Sequence, residues 1–395
     1  LCTQCIHFAV YLDAPVPTKV SIKSLYLHFA PAQLTVHDIN AMLALPGAIQ
    51  LIPELFDKVK DLCVRWLKHT LGNAARLLGS EERGVKAVLC RLELPAIQLF
   101  NECMEPKLSR EEVVRALVLW CSHPSRCASL SPEVLSLFTI QKIGFLVSMP
   151  PESGAKGVCI QWLLHFFGSV HEVVVEDASL SAFYQLPFDA ACFWAEQDGL
   201  VCRHSENEVA VLLELYACKV KLSDAQRKQL GSLLHISSMS YSFRHFVLPK
   251  LSLVSAFKED LIAFNAALDV GGKEELCICE DEFPPGWAGS RQRWAGSPFR
   301  FECSFSEDRL AAMLADASAP TTSAYGNVFF CGGFYWQVEL EFCPTTSSFG
   351  VFLEPTSSQS IPVPHQVKAK STLSVKKAGG GYERIGDGSK WFRGG

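Results

Sequence analysis

Residues 202–216, CRHSENEVAVLLELY, place a helix-start signal directly in front of a segment with almost no polar surface. Ser205 is followed three positions later by Glu208, the spacing of a capping box in which each side chain binds an orphan backbone N–H of the first turn. The run from Val209 to Tyr216 is apolar on most sides of a helix. Such a helix is surrounded by other helices, so the stretch predicts an inner helix of a helical array.

Similar start signals recur along residues 21–275. They lie at Ser109 with Glu112, at Ser131 with Pro132, at Pro187 and at Ser223 with Gln226. Weak self-similarity relates residues 34–67, 130–146 and 178–194, each of which sets a short helix before a second one, without a strict period. This pattern predicts stacked pairs of helices.

The composition changes after residue 269. Residues 270–298 are rich in Gly, Pro and charge, which is typical of a linker. In FYWQVELEF (334–342) apolar and polar residues alternate, which predicts a half-buried antiparallel strand with Trp336 and Phe342 on the inner face. Neighbouring stretches predict two flanking strands, a further strand at 299–305 and a short helix at 306–317.

The predicted fold is therefore multidomain, α followed by β. Residues 1–20 show little pattern. Residues 21–269 form a helical array, 270–298 a linker, and 299–395 a mainly antiparallel, β-sandwich-like domain.

Composition and charge limit the classes of partner and compartment. The net charge of −5 and pI near 6.2 favour neither nucleic-acid nor membrane binding. Many of the 16 cysteines lie in apolar helical text, which predicts reduced thiols in an intracellular protein of the nucleus or cytoplasm. These cysteines are Cys63, Cys90, Cys121, Cys159, Cys192 and Cys218.

Residues 186–217, LPFDAACFWAEQDGLVCRHSENEVAVLLELYA, resemble the BACK domain of BTB-BACK proteins. The matching positions are Leu186, Pro187, Asp198, Leu200, Ser205, Glu206, Asn207, Val209 and Tyr216. Tyr216 stands where the family usually has Trp, and one residue is inserted before Ser205. Residues 229–248 are similar to the next helix pair, although 237–239 read Ser-Ser-Met where Arg-Phe-Pro is common. Residues 43–69 are similar to the pair that follows a BTB fold.

The C-terminal text adds to this resemblance. VFFCGGFYWQVELEF and SSFGVFLEP are similar to the MATH-like β-domain that follows BACK in plant and algal light-response/POB-type proteins. GGGYERIGDGSKWF resembles a later segment of that domain. The resemblance implies a chain truncated at both ends, with a BTB fold upstream of Leu1.

The function implied by the resemblance is that of a substrate adaptor for a cullin-RING ubiquitin ligase. In that family the BTB fold and adjoining helices, here around Leu34–Leu67, bind the cullin, and the BTB fold forms a homodimer. The C-terminal domain, here around Phe299–Phe392, selects the target protein. The alternative is a helical-repeat scaffold with no link to ubiquitin.

Residues with the potential for chemistry do not form a recognised constellation. Cys2, Cys5 and His7 make half of a zinc site without a second half. No phosphate loop, dinucleotide fingerprint or nucleophile elbow is present in the sequence. We therefore predict no enzyme activity, no catalytic residue, no cofactor and no metal.

Four aromatic residues are candidates for partner binding. Trp287 and Trp294 are unusual in a linker and either pack on a domain or anchor a partner. Phe334 and Tyr335 belong to the predicted sheet, where a peptide could add as a strand. Core packing explains the apolar residues of that strand equally well.

Overall fold

The computed structural model describes residues 34–44, 53–79, 83–105, 107–203, 205–276, 283–284, 286–289, 303, 305–315, 321–346, 348–356, 360–361, 366–376 and 382–393. It divides into two compact units, Leu1–His165 and Phe166–Gly395. The described chain is mostly helical, with antiparallel strands towards the C-terminus. Among the described residues, no helix is both long and apolar enough to cross a bilayer.

The first unit contains only helices among its described residues. They are α1 Val36–Leu43, α2 Pro53–Leu71, α3 Ala74–Leu78, α4 Arg83–Arg91, α5 Leu94–Cys103, α6 Arg110–Cys121, α7 Pro132–Leu135, α8 Ile140–Ser148 and α9 Ala155–Phe167, with a 3₁₀ turn at Pro151–Ser153. The predicted box of Ser109 and Glu112 is present at the start of α6, and Pro132 opens α7. These starts were predictable because capping needs only residues close in sequence.

The second unit continues with helices before its strands begin. They are α10 Val170–Val175, α11 Asp177–Phe183, α12 Phe188–Ala195, α13 Asn207–Val220, α14 Asp224–Ser232, α15 Tyr241–Phe246, α16 Lys258–Leu276 and α17 Glu307–Ala315. Three 3₁₀ segments lie at Ile236–Ser238, Leu248–Lys250 and Ser252–Phe257. The box of Ser223 and Gln226 starts α14 as predicted. Helix α16 continues past residue 269, where the linker was predicted to begin.

The strands form two separate sheets. Strands β1 Thr322–Cys331, β2 Phe334–Cys343 and β3 Ser348–Thr356 make an antiparallel sheet in that order, while β4 Gln366–Lys376 pairs with β5 Tyr382–Arg393. The predicted antiparallel β structure is thus confirmed as a small three-stranded sheet, and a full β-sandwich is not shown among the described residues. The strand predicted at 299–305 falls largely outside the described residues.

One face of the three-stranded sheet packs on α17. Met313 of the helix is buried with Ala324 of β1 and Phe342 of β2, and the partly buried Leu310 and Leu340 join them. Ala324 lies opposite Leu340 in the register, so these residues share a face. The alternation read from residues 334–342 therefore identified the inner face of β2 correctly.

A recurring hydrogen bond relates the helix pairs to one another. In the first unit, the indole N–H groups of three buried tryptophans donate to carbonyls that lie just ahead of α1, α5 and α8. The pairs are Trp66 with Leu34 (2.9 Å), Trp120 with Leu92 (2.9 Å) and Trp162 with Phe138 (2.7 Å). In the second unit, Trp194 donates to Phe167 (2.9 Å) and the hydroxyl of Tyr216 donates to Leu186 (2.8 Å), just ahead of α12. Four of these five bonds fix a helix to the start of an earlier one, and the Trp194 bond reaches the last residue of the helix Ala155–Phe167.

Replacing Trp66 by Phe should lower the free energy of unfolding of the first unit by about 1–3 kcal/mol, because the carbonyl of Leu34 loses its buried donor. Urea denaturation followed by circular dichroism measures the change. Tyr241→Phe is the control, because it also removes one polar group from an aromatic ring but at a side chain that is 59% exposed. Equal midpoints for the two variants would contradict a role of the indole bond in stability.

Candidate protein-interaction site

The BACK-like positions come together at one place in the second unit. Leu186, Leu200, Val209 and Tyr216 are buried, whereas Asp198 is exposed in the turn before Leu200. The ring of Tyr216 packs edge-on against Phe183, and its hydroxyl reaches the carbonyl of Leu186. Pro187 occupies the N-cap position of α12. Residues at the two ends of the motif are thus held together by one hydrogen bond.

The predicted capping box of Ser205 and Glu208 is not formed. Helix α13 begins at Asn207, and its N-cap residue is Glu206 without a side-chain capping bond. The Ser205 hydroxyl accepts a hydrogen bond from the N–H of Asn207 (3.3 Å), while the Glu208 carboxylate accepts one from the N–H of Arg203 (2.9 Å). Glu208 is fully buried. Its carboxylate is therefore used by the preceding loop rather than by the helix terminus.

Three consecutive polar side chains at this helix start each bind a different part of the chain. Glu206 accepts from the N–H of His235 (3.2 Å), and Glu208 lies 3.5 Å from Nδ1 of His171. Asn207 donates to the carbonyl of Gly332 (2.7 Å) and to the hydroxyl of Ser240, and it accepts from the N–H of Ser240. All three are at most 2% exposed. A buried polar group needs such partners to offset its desolvation, so this run joins the helices to the β1–β2 turn.

The β1–β2 turn fits closely against the start of α13. Gly332 and Gly333 have φ values of +63° and +85°, and a Cβ atom on Gly333 would lie 2.2 Å from Cβ of Asn207. On either side of the turn, Phe330 stacks on His171 and Phe334 packs edge-on against Phe243. The tip of the hairpin is therefore seated on α10, α13 and α15.

The aromatic candidates for partner binding lie mainly inside the molecule. Trp287 is fully buried, packs against Phe257 and Phe264, and donates its indole N–H to the carbonyl of Gly231 (3.1 Å). Of the two alternatives for Trp287, packing on a domain is the one observed. Phe334 is 6% exposed, and Tyr335 is half-buried beside Phe330. Trp294 lies outside the described residues.

The sequence analysis missed a further buried carboxylate, that of Glu214. Glu214, on the last turns of α13, accepts hydrogen bonds from the N–H groups of Ser252 (3.1 Å) and Leu253 (3.2 Å) and from the Ser252 hydroxyl (2.7 Å). It thereby caps the 3₁₀ segment Ser252–Phe257. A glutamate within the apolar text VLLELY is the signal that could have indicated this role.

The described cysteines are all free thiols. Cys63, Cys121, Cys159 and Cys192 are buried, and burial raises the pKa of each thiol to about 12. These thiols are protonated near neutral pH, whereas nucleophilic and metal-binding cysteines act as thiolates. Cys218, which also lies in an apolar helical segment of the sequence, is exposed near the end of α13.

No group of three His, Cys, Asp or Glu side chains with the geometry of a metal site occurs among the described residues. The Cys2, Cys5 and His7 set lies outside them. In the described part of the second unit, the tip of the β1–β2 hairpin packs against helices α10, α13 and α15. No family model, no curated protein and no solved structure matches this chain.

Proposed function

We propose that this chain is a non-enzymatic protein-interaction module, the substrate-adaptor part of a cullin-RING ubiquitin ligase. Its N-terminal helices contact the cullin, together with a BTB fold that dimerises the parent protein. Its three-stranded sheet recruits the target protein. The mechanism is positional, because it raises the effective concentration of a target lysine near the ligase.

The observation that carries this proposal is the repeated aromatic-to-carbonyl bond. The Tyr216 bond to Leu186 closes the BACK-like motif, and tryptophans make the same kind of bond in the helix pairs of the first unit. Stacked helix pairs of one design present extended surfaces to partners. An adaptor needs such a repeating spacer.

The seating of the hairpin also supports an adaptor. A target-binding sheet that moved freely on its spacer would not hold a lysine in place. Here the sheet is attached through the buried side chain of Asn207 and the packing of Phe330 and Phe334. These contacts restrict the motion of the sheet relative to α13.

Binding of a purified cullin N-terminal domain tests the proposal. Lys58 is exposed and Lys68 partly exposed on α2, whereas Leu62 and Trp66 of the same helix are buried. We expect the chain to bind cullin measurably, and the double variant K58E/K68E to bind about tenfold more weakly because charge reversal at an interface disfavours the complex.

The control variant is K219E/K258E, which makes the same change of net charge on exposed lysines of the second unit. Equal binding by the two double variants would argue against α2 as the cullin contact. No cullin binding by the folded chain would favour the scaffold alternative.

A further inference from the structure

The most exposed large apolar side chains of the described chain lie around one groove of the second unit. Val270 is 86%, Ile262 71% and Tyr241 59% exposed, and no other large apolar side chain that the structure describes is as exposed. Ile262 and Val270 belong to α16. Tyr241 belongs to α15, where its ring centre lies 4.3 Å from that of His245. Apolar side chains exposed singly are normal, whereas a group of them at one place indicates an interaction surface.

The groove runs along α16 and has a volume of about 610 Å³. His245 of α15 and Pro249 of the following 3₁₀ segment line it, together with residues of α16 from Lys258 to Asp269. Those two residues are about 16 Å apart along the helix axis, since an α-helix rises about 1.5 Å per residue. The groove is thus long enough to contact three turns of a second helix.

Four residues of α16 form one row beside this groove, which we call the α16 row. They follow one another at intervals of four, are all exposed, and are Lys258, Ile262, Ala266 and Val270. Residues four apart are neighbours on the surface of a helix. Rows of this spacing are the ridges that pack into the grooves of another helix. The row therefore has the geometry of a helix-packing surface.

We propose that the α16 row is a homodimer interface, in which the α16 helices of two copies of this chain pack antiparallel about a two-fold axis. Such an interface uses the same patch on both copies, so the patch has to match itself. An axis midway between Ile262 and Ala266 places the large side chain of each copy beside the small one of the other. Large and small residues that face each other in this way interdigitate without voids.

The α16 row also matches itself in charge. The same axis places Lys258 of one copy beside Val270 and Asp269 of the other, where its alkyl stem covers the valine and its ammonium group reaches the carboxylate. Within its own chain, Asp269 accepts a hydrogen bond from Arg244 (3.0 Å) and lies 2.8 Å from His245. Its side chain is nevertheless 31% exposed, and carboxylate oxygens can accept further hydrogen bonds. A second copy thus supplies both the apolar and the charged partner that the row requires.

Sedimentation velocity of the chain at about 1 to 200 µM tests the inference, since small interfaces give weak complexes. The apparent mass should rise with concentration from that of one chain to that of two. Ile262→Glu should raise the dissociation constant of the dimer at least about tenfold, because dimerisation would bury an unpaired carboxylate. Lys258→Gln should raise it about threefold, because an exposed ion pair contributes modestly.

The matched control is Val175→Glu. Val175 is also an exposed apolar residue of a helix, at 49%, and the substitution adds the same charge outside the α16 row. This variant should dimerise like the parent. Because Ile262 is so exposed, Ile262→Glu should keep the parent's circular dichroism spectrum and urea midpoint. A parent chain that stays monomeric over the whole range, or a folded Ile262→Glu variant that dimerises like the parent, would overturn the inference.

The inference goes beyond the proposed function, which assigns dimerisation of the parent protein to the BTB fold, and its outcome is separable. Below the dissociation constant of the dimer, Ile262→Glu and K219E/K258E should both bind the cullin domain like the parent, because the cullin contact is assigned to α2. Cullin binding by a chain that never dimerises would remove the α16 interface and leave the adaptor. Dimerisation that depends on Ile262, without cullin binding, would retain the interface in a scaffold.

Discussion

Glu214→Ala is expected to lower the free energy of unfolding of the second unit by about 3 kcal/mol. The Glu214 side chain is 3% exposed and accepts hydrogen bonds from two backbone N–H groups and one hydroxyl at the start of the 3₁₀ segment Ser252–Phe257. Alanine leaves these donors without an acceptor, and hydrogen bonds to a charged group are stronger than neutral ones. The 3₁₀ segment should lose its order first.

Urea denaturation gives the total change, and hydrogen exchange at Leu253 locates it. Glu214→Gln keeps one acceptor oxygen of the same shape, so its cost should lie between those of the parent and the alanine variant. Glu259→Ala, on an exposed face of α16, should change stability by less than about 0.5 kcal/mol. If Glu214→Ala were as mild as Glu259→Ala, the carboxylate would not be the cap that the distances describe.

The second large effect is expected where the β1–β2 turn packs against the start of α13. Gly333→Ala should release the tip of the β1–β2 hairpin, because its new Cβ would meet Cβ of Asn207 at 2.2 Å. A contact below 3 Å requires the turn or the helix to move. We expect faster hydrogen exchange in Phe330–Phe334, by about 10- to 100-fold, which corresponds to local opening that is easier by about 1.4–2.7 kcal/mol.

Gly332→Ala is a closely matched control. Both glycines have positive φ, so both substitutions carry the backbone strain of an L-residue in that region, but a Cβ on Gly332 has no atom within 4 Å. The difference in hydrogen exchange between the two variants therefore measures only the effect of the contact between residue 333 and Asn207. Asn207→Ala, which removes the bond to the Gly332 carbonyl, should reproduce the effect of Gly333→Ala. Identical hydrogen exchange in both glycine variants would mean that packing against Asn207 does not hold the hairpin in place.

These two sites have consequences for the proposed adaptor. Weaker packing of the β1–β2 turn on α13 should reduce target ubiquitination more than target binding. It would change how the bound target is positioned and leave the target-binding contacts in place.

Local features of the fold were determined by the sequence alone. The capping boxes at Ser109 and Ser223 and the alternation in β2 depend on residues within a few positions of one another, so their physics is visible in a short window. The burial of α13 followed from its apolar circumference, and ten of its residues, from Asn207 to Ala217, are indeed buried. The change from helical to alternating hydrophobic periodicity likewise predicted helices followed by a β-rich C-terminal part.

Only the tertiary structure decided how polar groups inside the array are paired. Ser205 and Glu208 have the spacing of a capping box, yet the buried Glu208 binds the backbone of Arg203 beside His171, because a carboxylate that is desolvated takes the donors that packing brings to it. The sequence left open whether Trp287 packs on a domain or anchors a partner, and the structure packs it against Phe257 and against Phe264 of α16. The indole-to-carbonyl bonds join residues 24 to 32 positions apart in the first unit, and no short-range pattern specifies such partners.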